Sequence, residues 1–217
     1  MSSPDELYPQ PCAFCKISTA YPPSSTSPVP HNPDPAKCEP QCHLILSTPH
    51  VLAFLDIMPI APGHILLTTR KHYAKLSDLQ RPSSSKQRTD WISSKQAAEA
   101  LETSRAMGEF LPVLSRALCR VTGVEDWNIV QNNGERAAQV VPHVHFHLIP
   151  RYQEGRVEKK KNGMGEAQMR SWRMFGRGAR EDLDDEEGRV LAGRLREAIR
   201  EEIEWMDTGN VKEKGRL

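Results

Sequence analysis

Three histidines occupy alternate positions in Val141-Pro142-His143-Val144-His145-Phe146-His147-Leu148-Ile149-Pro150. Successive side chains of a β-strand point to opposite faces, so as a strand this segment puts three imidazoles on one face and Val144, Phe146 and Leu148 on the other. Imidazole changes charge near neutral pH. Such a row can supply a nucleophile, proton donors and ligands for phosphate oxygens with little adjustment of pKa. Two other uses compete: neutral imidazoles bind zinc or copper directly, and a polar strand face can simply meet water, although no Lys, Thr or Glu is interleaved with these histidines.

The elements that must hold the row are legible around it. Trp127-Asn128-Ile129-Val130-Gln131-Asn132-Asn133-Gly134 reads as an apolar strand ending in a turn signal, and a short link, Glu135 to Val140, returns the chain to the histidines. An antiparallel neighbour follows, bringing Asn132 and the Gly134 backbone to the imidazoles, where amide and N–H groups suit a phosphate or its leaving group. Upstream, His43 to Ser47, Val51 to Leu55 and His64 to Thr69 read as a three-stranded meander. Lys95 to Arg120 carries a helical pattern of Leu101, Leu111, Leu114 and Leu118, with Pro112 expected to kink it for want of an N–H. Tyr21 to Pro40 is so rich in Pro and Ser that it predicts an inserted loop without helix or strand, and Pro82 to Asp90 predicts a second, polar one. Beyond the histidines, Asp182-Leu183-Asp184-Asp185-Glu186-Glu187 suits the start of a helix. Its Leu191, Leu195, Ile199 and Ile203, at four-residue spacing, form a stripe that must pack on the domain or on a partner subunit.

Composition narrows the function classes. At 217 residues the chain predicts one core domain with additions. A formal net charge of +1 argues against a general nucleic-acid binder, and the one basic run, Arg156 to Lys161, reads as a solvated loop. No leading apolar segment resembles a signal peptide and no run approaches the ~20 apolar residues that span a bilayer. The expectation is a soluble intracellular protein of the cytoplasm, with the nucleus as a further compartment, and no membrane partner. Five cysteines, an odd number, point to plain thiols or metal ligands rather than a disulfide framework. Cys12-x-x-Cys15 is half of a tetrahedral site, and Cys38-x-x-x-Cys42-His43 is a rival source of ligands.

The run from Gln131-Asn132-Asn133-Gly134 through Gln139 to His143-Val144-His145-Phe146-His147-Leu148 resembles the signature of the histidine triad (HIT) family, His-φ-His-φ-His-φ-φ. Cys12-Ala13-Phe14-Cys15-Lys16-Ile17, and Ala53-Phe54-Leu55-Asp56-Ile57-Met58-Pro59 leading to Ala61-Pro62-Gly63-His64, are similar to its Hint-like branch, nucleotide-binding proteins that act as purine nucleoside phosphoramidases. The motifs fall in the right order over about residues 10–155. The resemblance implies an α+β HIT fold: an antiparallel sheet of about five strands with a long helix, usually paired as a homodimer. The expected organisation is a flexible stretch over 1–11 and a HIT domain over 12–155, with a Pro/Ser-rich insertion at about 18–41 and a polar one at about 80–92. A charged helical C-terminal extension follows over 156–217.

The same resemblance implies roles. His145 matches the family's nucleophile, which attacks the α-phosphorus of a purine nucleotide derivative, and a backbone carbonyl near His143 holds its other nitrogen. His147 and His64 match positions that contact phosphate oxygens or pass protons to the leaving group. Asp56 matches the ribose-binding acid, Phe54 and Ile57 the purine walls, and Asn132 and Gln139 complete the nucleotide site. No cofactor is implied for the chemistry, while a structural zinc is implied on Cys12, Cys15, His72 and His143. The implied reaction is hydrolysis of adenosine 5′-phosphoramidates to AMP and an amine. The alternatives are dinucleoside polyphosphate hydrolysis, as in the Fhit-like branch, and a nucleotide-binding adaptor with little turnover that uses its C-terminal helix as interaction surface. The chain departs from the pattern at Val140, where many Hint-like proteins have Ser or Thr, and at Ala138, which replaces a glycine. Gln139 or backbone N–H groups would then serve the leaving group. Docking of the extension is expected to bring Trp172 to Phe175 to the pocket border.

Overall fold

The structure, a computed structural model, describes residues 12–79, 94–153 and 182–213. Five strands form one antiparallel sheet in the order β1-β2-β3-β5-β4. They are β1 (Leu44–Ser47), β2 (Val51–Leu55), β3 (Ile65–Thr69), β4 (Asp126–Gln131) and β5 (His145–Arg151). The expected meander, the antiparallel neighbour and the five-stranded α+β architecture are all present. Every residue of β1, β2 and β3 is buried, because both faces of the sheet are covered.

Alternation sorts the strands' side chains into two layers. Val51, Ala53, Leu55, Ile65, Leu67, Val144 and Leu148 point to one face, under two long helices, α2 (Ser94–Thr122) and α3 (Asp185–Glu213). Leu44, Leu52, Phe54 and Leu66 point to the other, under a short helix, α1 (Ala13–Ala20), and its flanking loop. A bulge in β1 between Leu44 and Leu46 puts both Ile45 and Leu46 in the helical layer.

Helix α2 runs through Pro112 without interruption. The proline stands on the exposed side, where water can satisfy the carbonyl four residues earlier that it leaves without a donor. Leu101, expected in the apolar stripe, is 51% exposed. The buried stripe runs instead through Ala100, Met107, Phe110, Leu114 and Leu118, and position 101 lies about 100° round the helix from it.

Helix α3 docks on its own subunit. Leu195 and Ile199 are fully buried against α2 and the sheet, with Leu191 and Ile203 at the margin. Glu202 receives bonds from Arg116 (2.5 Å) and Arg120 (2.9 Å) of α2, and Arg196 donates to the Leu44 carbonyl of β1 (2.9 Å).

The Pro/Ser-rich insertion is more structured than its composition suggests. Residues 18–20 belong to α1, Pro35–Lys37 form a 3-10 turn capped by Asp34, and Tyr21 and Val29 are buried in the two cores. Tyr21 Oη donates to the Asp34 carbonyl at 2.7 Å, so tertiary packing and capping supply the order that local propensity lacks. The expectations for 1–11, the 80–92 insertion, Arg156 to Lys161 and Trp172 to Phe175 lie outside the described residues. Among the described residues no helix is long and apolar enough to cross a membrane.

Candidate active site

The histidine row is not a single strand face. Strand β5 begins at His145, and His143 precedes it in a bend. Pairing explains the break: β4 ends at Gln131, opposite Phe146, so residue 143 has no partner there, while Val144 is held outside the ladder by its N–H to Tyr73 O (2.7 Å) and by Thr68 Oγ1 on its carbonyl (2.9 Å). His145 and His147 share a face, their ring centroids 4.8 Å apart, whereas the His143 ring turns to the cysteines.

This break does chemical work. His145 Nδ1 lies 2.6 Å from the His143 carbonyl, which can only accept, so the Nδ1 proton is fixed there and Nε2 keeps its lone pair. The His145 side chain is buried, with Phe14 edge-on at 5.1 Å. Burial pulls the His145 pKa below the ordinary value of 6.5, opposed by the bond to the His143 carbonyl, which favours the protonated ring. The result is a neutral imidazole with an available nucleophilic nitrogen.

A second chain of bonds runs through His64 and His147. The Ile60 N–H donates to His64 Nδ1 (3.2 Å), so the His64 proton sits on Nε2, which reaches His147 Nδ1 at 3.0 Å. The His147 proton is thereby placed on Nε2, on the far side of its ring from His64. Asp56 Oδ2 lies 3.3 Å from His64 Nδ1, where a carboxylate stabilises positive charge on that ring, and Oδ1 accepts the Met58 N–H (2.9 Å).

The remaining predicted residues divide. Phe54 is buried beneath Phe14 at 5.5 Å, and Ile57 is exposed, its carbonyl taking the Leu183 N–H from the lead-in to α3 (2.8 Å). Asn132 follows Gln131 at the end of β4, next in register toward His145. The Gln139 amide is engaged by the protein itself. Its Oε1 takes the Gly134 N–H (2.6 Å) and its Nε2 donates to the Ala74 and His143 carbonyls (2.7 and 3.3 Å), so the buried amide braces the loop against the carbonyl that orients His145. Val140 is 90% exposed, and Ala138 adopts a left-handed conformation, φ 62°. Thr69 was not foreseen: its carbonyl lies 2.8 Å from His143 Nε2 and fixes that ring too. Neither was Phe14, whose position inside Cys12-x-x-Cys15 was its only signal.

With Nε2 of His143 donating to Thr69, its Nδ1 presents a lone pair to Cys12 Sγ (3.4 Å) and Cys15 Sγ (3.6 Å), while His72 Nδ1 lies 3.3 Å from Cys15 Sγ. All four ligand atoms fall within 4.8 Å of one another. Tetrahedral zinc, with Zn–S about 2.3 Å and Zn–N about 2.05 Å, requires N···S separations of about 3.5 Å, so the donor set and its spacing fit. The Cys12 thiol is held far below the usual range by Cys15, with His143 and His72 adding to the effect against burial. The rival set does not assemble: His43 faces Asp185 at 3.5 Å, and no metal-holding group among the described residues includes Cys38 or Cys42.

The HIT domain family model matches residues 37–154. This chain belongs to the HIT family. It is 32% identical over 149 residues to an uncharacterised HIT-like protein of Methanocaldococcus jannaschii, covering 68% of this chain and 85% of that one. It is 30% identical over 143 residues to an adenosine 5′-monophosphoramidase of Schizosaccharomyces pombe, covering 66% and 76%. Among solved structures, a hypothetical histidine triad nucleotide-binding protein of Sulfolobus tokodaii superposes with TM-score 0.56 at 18% identity, covering 88% of this chain and 93% of that one, a likeness of fold. The HIT chain described here carries helix α3 packed onto the domain.

Proposed function

We propose that this HIT protein hydrolyses adenosine 5′-phosphoramidates to AMP and an amine through a nucleotidyl-histidine intermediate. The bond of His145 Nδ1–H to the His143 carbonyl carries the reading, since it leaves Nε2 as the attacking atom. Nε2 bonds to the α-phosphorus, the P–N bond breaks, and its electron pair goes to the amine nitrogen, which takes a proton from His147 Nε2, the His64–His147 pair entering the step with one proton more than its neutral form. The His64 to His147 bond supports that donor role. Water then attacks the intermediate, returns a proton to His147 and frees His145. The Asp56 oxygens keep lone pairs for the ribose hydroxyls beside their present partners. The similarity to a phosphoramidase supports the choice of leaving group.

Cys12, Cys15, His72 and His143 would hold a structural zinc, whose chemistry there is to tie α1 and the 72 loop to the bend at His143. A Cys12→Ser, Cys15→Ser variant should then lose bound zinc and thermal stability; undiminished zinc content would refute the assignment. The assembly proposed is a homodimer in the cytoplasm.

The deciding assay compares adenosine 5′-phosphoramidate, diadenosine triphosphate and diadenosine tetraphosphate without added metal, in the native protein and in His145→Ala. The phosphoramidate should be preferred and His145→Ala should bind AMP without turnover. Preference for a dinucleotide would move the protein to the Fhit-like reading, and AMP binding with no turnover of any substrate would make it an adaptor.

A further inference from the structure

The start of the C-terminal helix grips the chain on both sides of Asp56. On one side the Leu183 N–H, just ahead of α3, donates to the carbonyl of Ile57, the residue after Asp56 (2.8 Å). On the other side the Leu55 N–H donates to the His43 carbonyl (3.1 Å), and the His43 ring is seated on α3. Its Nε2 lies 3.5 Å from Asp185 Oδ1, and it fills the space that Gly188 leaves open.

The bond from Leu183 has a direct line to the Asp56 carboxylate. The Ile57 carbonyl and the Met58 N–H belong to one peptide unit, which is planar and turns as a single body. Its oxygen is held by Leu183 and its N–H donates to Asp56 Oδ1 (2.9 Å), so the plane that Leu183 fixes is the plane that fixes the carboxylate. Oδ2 is thereby left 3.3 Å from His64 Nδ1. Leu183 itself is well anchored. Its side chain packs on the core under α3, and Asp184 caps the helix, Oδ1 accepting the N–H groups of Glu186 and Glu187 (both 3.0 Å). Ahead of the cap, the Leu183 N–H has no place in the helix's own bonding and is spent on the loop.

We propose that Leu183 is a positioning residue: by holding the Ile57–Met58 peptide it sets the rotation of the Asp56 carboxylate, and so makes recognition of the ribose depend on the C-terminal helix. The inference rests on Asp56 as the acceptor of the ribose hydroxyls. Without the bond the peptide can turn, taking the Met58 N–H away from Oδ1 and leaving the carboxylate to several orientations, of which one suits the sugar.

The test uses the full chain and two probes, AMP and 2′,3′-dideoxyadenosine 5′-monophosphate, which lacks both hydroxyls. Calorimetry gives the ratio of their affinities in the parent, in Leu183→Ala, which keeps the N–H, and in Leu183→Pro, which trims the same side chain and removes the N–H. Proline is compatible with a position ahead of a helix. The AMP-to-dideoxy ratio should fall about three- to tenfold from Leu183→Ala to Leu183→Pro, the range that one hydrogen bond commands. Affinity for the dideoxy nucleotide should stay the same in both, whereas general loosening of the site would lower it. Asp184→Ala, which uncaps α3 with the Leu183 N–H in place, should lower the ratio as well, and Asp184→Asn should restore it. A ratio that is the same in Leu183→Pro, Leu183→Ala and Asp184→Ala would overturn the inference while leaving the ribose role of Asp56 intact. Equal affinity of the parent for both nucleotides would overturn that role and the inference with it.

Discussion

Three glycines in the long helices should respond to the same substitution in opposite ways. Gly→Ala in a helix interior gains about 1 kcal/mol from restricted backbone freedom in the unfolded chain. At Gly108 a Cβ meets nothing within 4 Å, and at Gly193 only Arg196 Nη2 at 3.8 Å, an ordinary contact. Both variants should gain roughly 0.5–1 kcal/mol, raising Tm by about 1–4 °C for a chain of this size. At Gly188 the Cβ would fall 2.5 Å from His43 Nε2, 2.6 Å from Cδ2 and 2.9 Å from Cε1. His43 is 3% exposed and cannot swing away, so overpacking of about 1–3 kcal/mol opposes the gain. Gly188→Ala should therefore fall about 1–3 kcal/mol below the other two variants in urea unfolding, while a Gly188→Ala, His43→Ala pair should show coupling above about 0.5 kcal/mol. If all three alanines stabilise alike, the seating of α3 on His43 is wrong.

Other consequences follow from the same packing and from the site. Ala138→Gly should stabilise by about 0.5–1 kcal/mol in the same assay, because alanine at φ 62° bears a left-handed penalty that glycine escapes. Because burial lowers the His145 pKa, the neutral ring persists as pH falls below 6.5, and the acid limb of kcat/KM should lie below that value. Phe14→Ala, which opens the ring to water, should move the limb upward; an unchanged limb would mean another group sets it. Truncation after Tyr152 removes Leu195 and Ile199 and uncovers Leu114 and Leu118, at roughly 1.5–3 kcal/mol for each large side chain exposed. The shortened chain should aggregate or unfold without cooperativity, and a soluble two-state product would show that α3 is dispensable.

Periodicity made the layers readable in advance. The alternation in Val51 to Leu55 and around His145, and the four-residue spacing of Leu191 to Ile203, each encode a face, and a face is a local property. What the spacing could not encode was where a strand stops. His143 continues the alternation in sequence yet leaves the sheet, because its neighbours β3 and β4 give out, a long-range fact about Thr68 and Gln131. Order in the Pro/Ser-rich loop was hidden for a similar reason, since Tyr21 and Val29 are isolated apolar residues whose burial depends on the sheet they meet. Gln139 was read as a substrate contact because an amide near a phosphate is plausible chemistry; its three protein partners are spread over residues 74 to 143. Leu101 misled for the simplest reason, one residue of helical phase.

The two margins of the sheet differ in a way that bears on assembly. At β1, Arg196 occupies the Leu44 carbonyl and the Ser47 N–H is taken by Pro28, so the chain itself has sealed that margin. At β4, among the described residues, the outer side carries no strand, and Trp127 and Ile129 are 38% and 44% exposed. A sheet with two open margins can extend indefinitely, copy upon copy. One open margin allows a single union about a two-fold axis, after which no template remains. The C-terminal helix, together with the Pro28 loop, thereby withdraws the β1 side as a template for sheet growth.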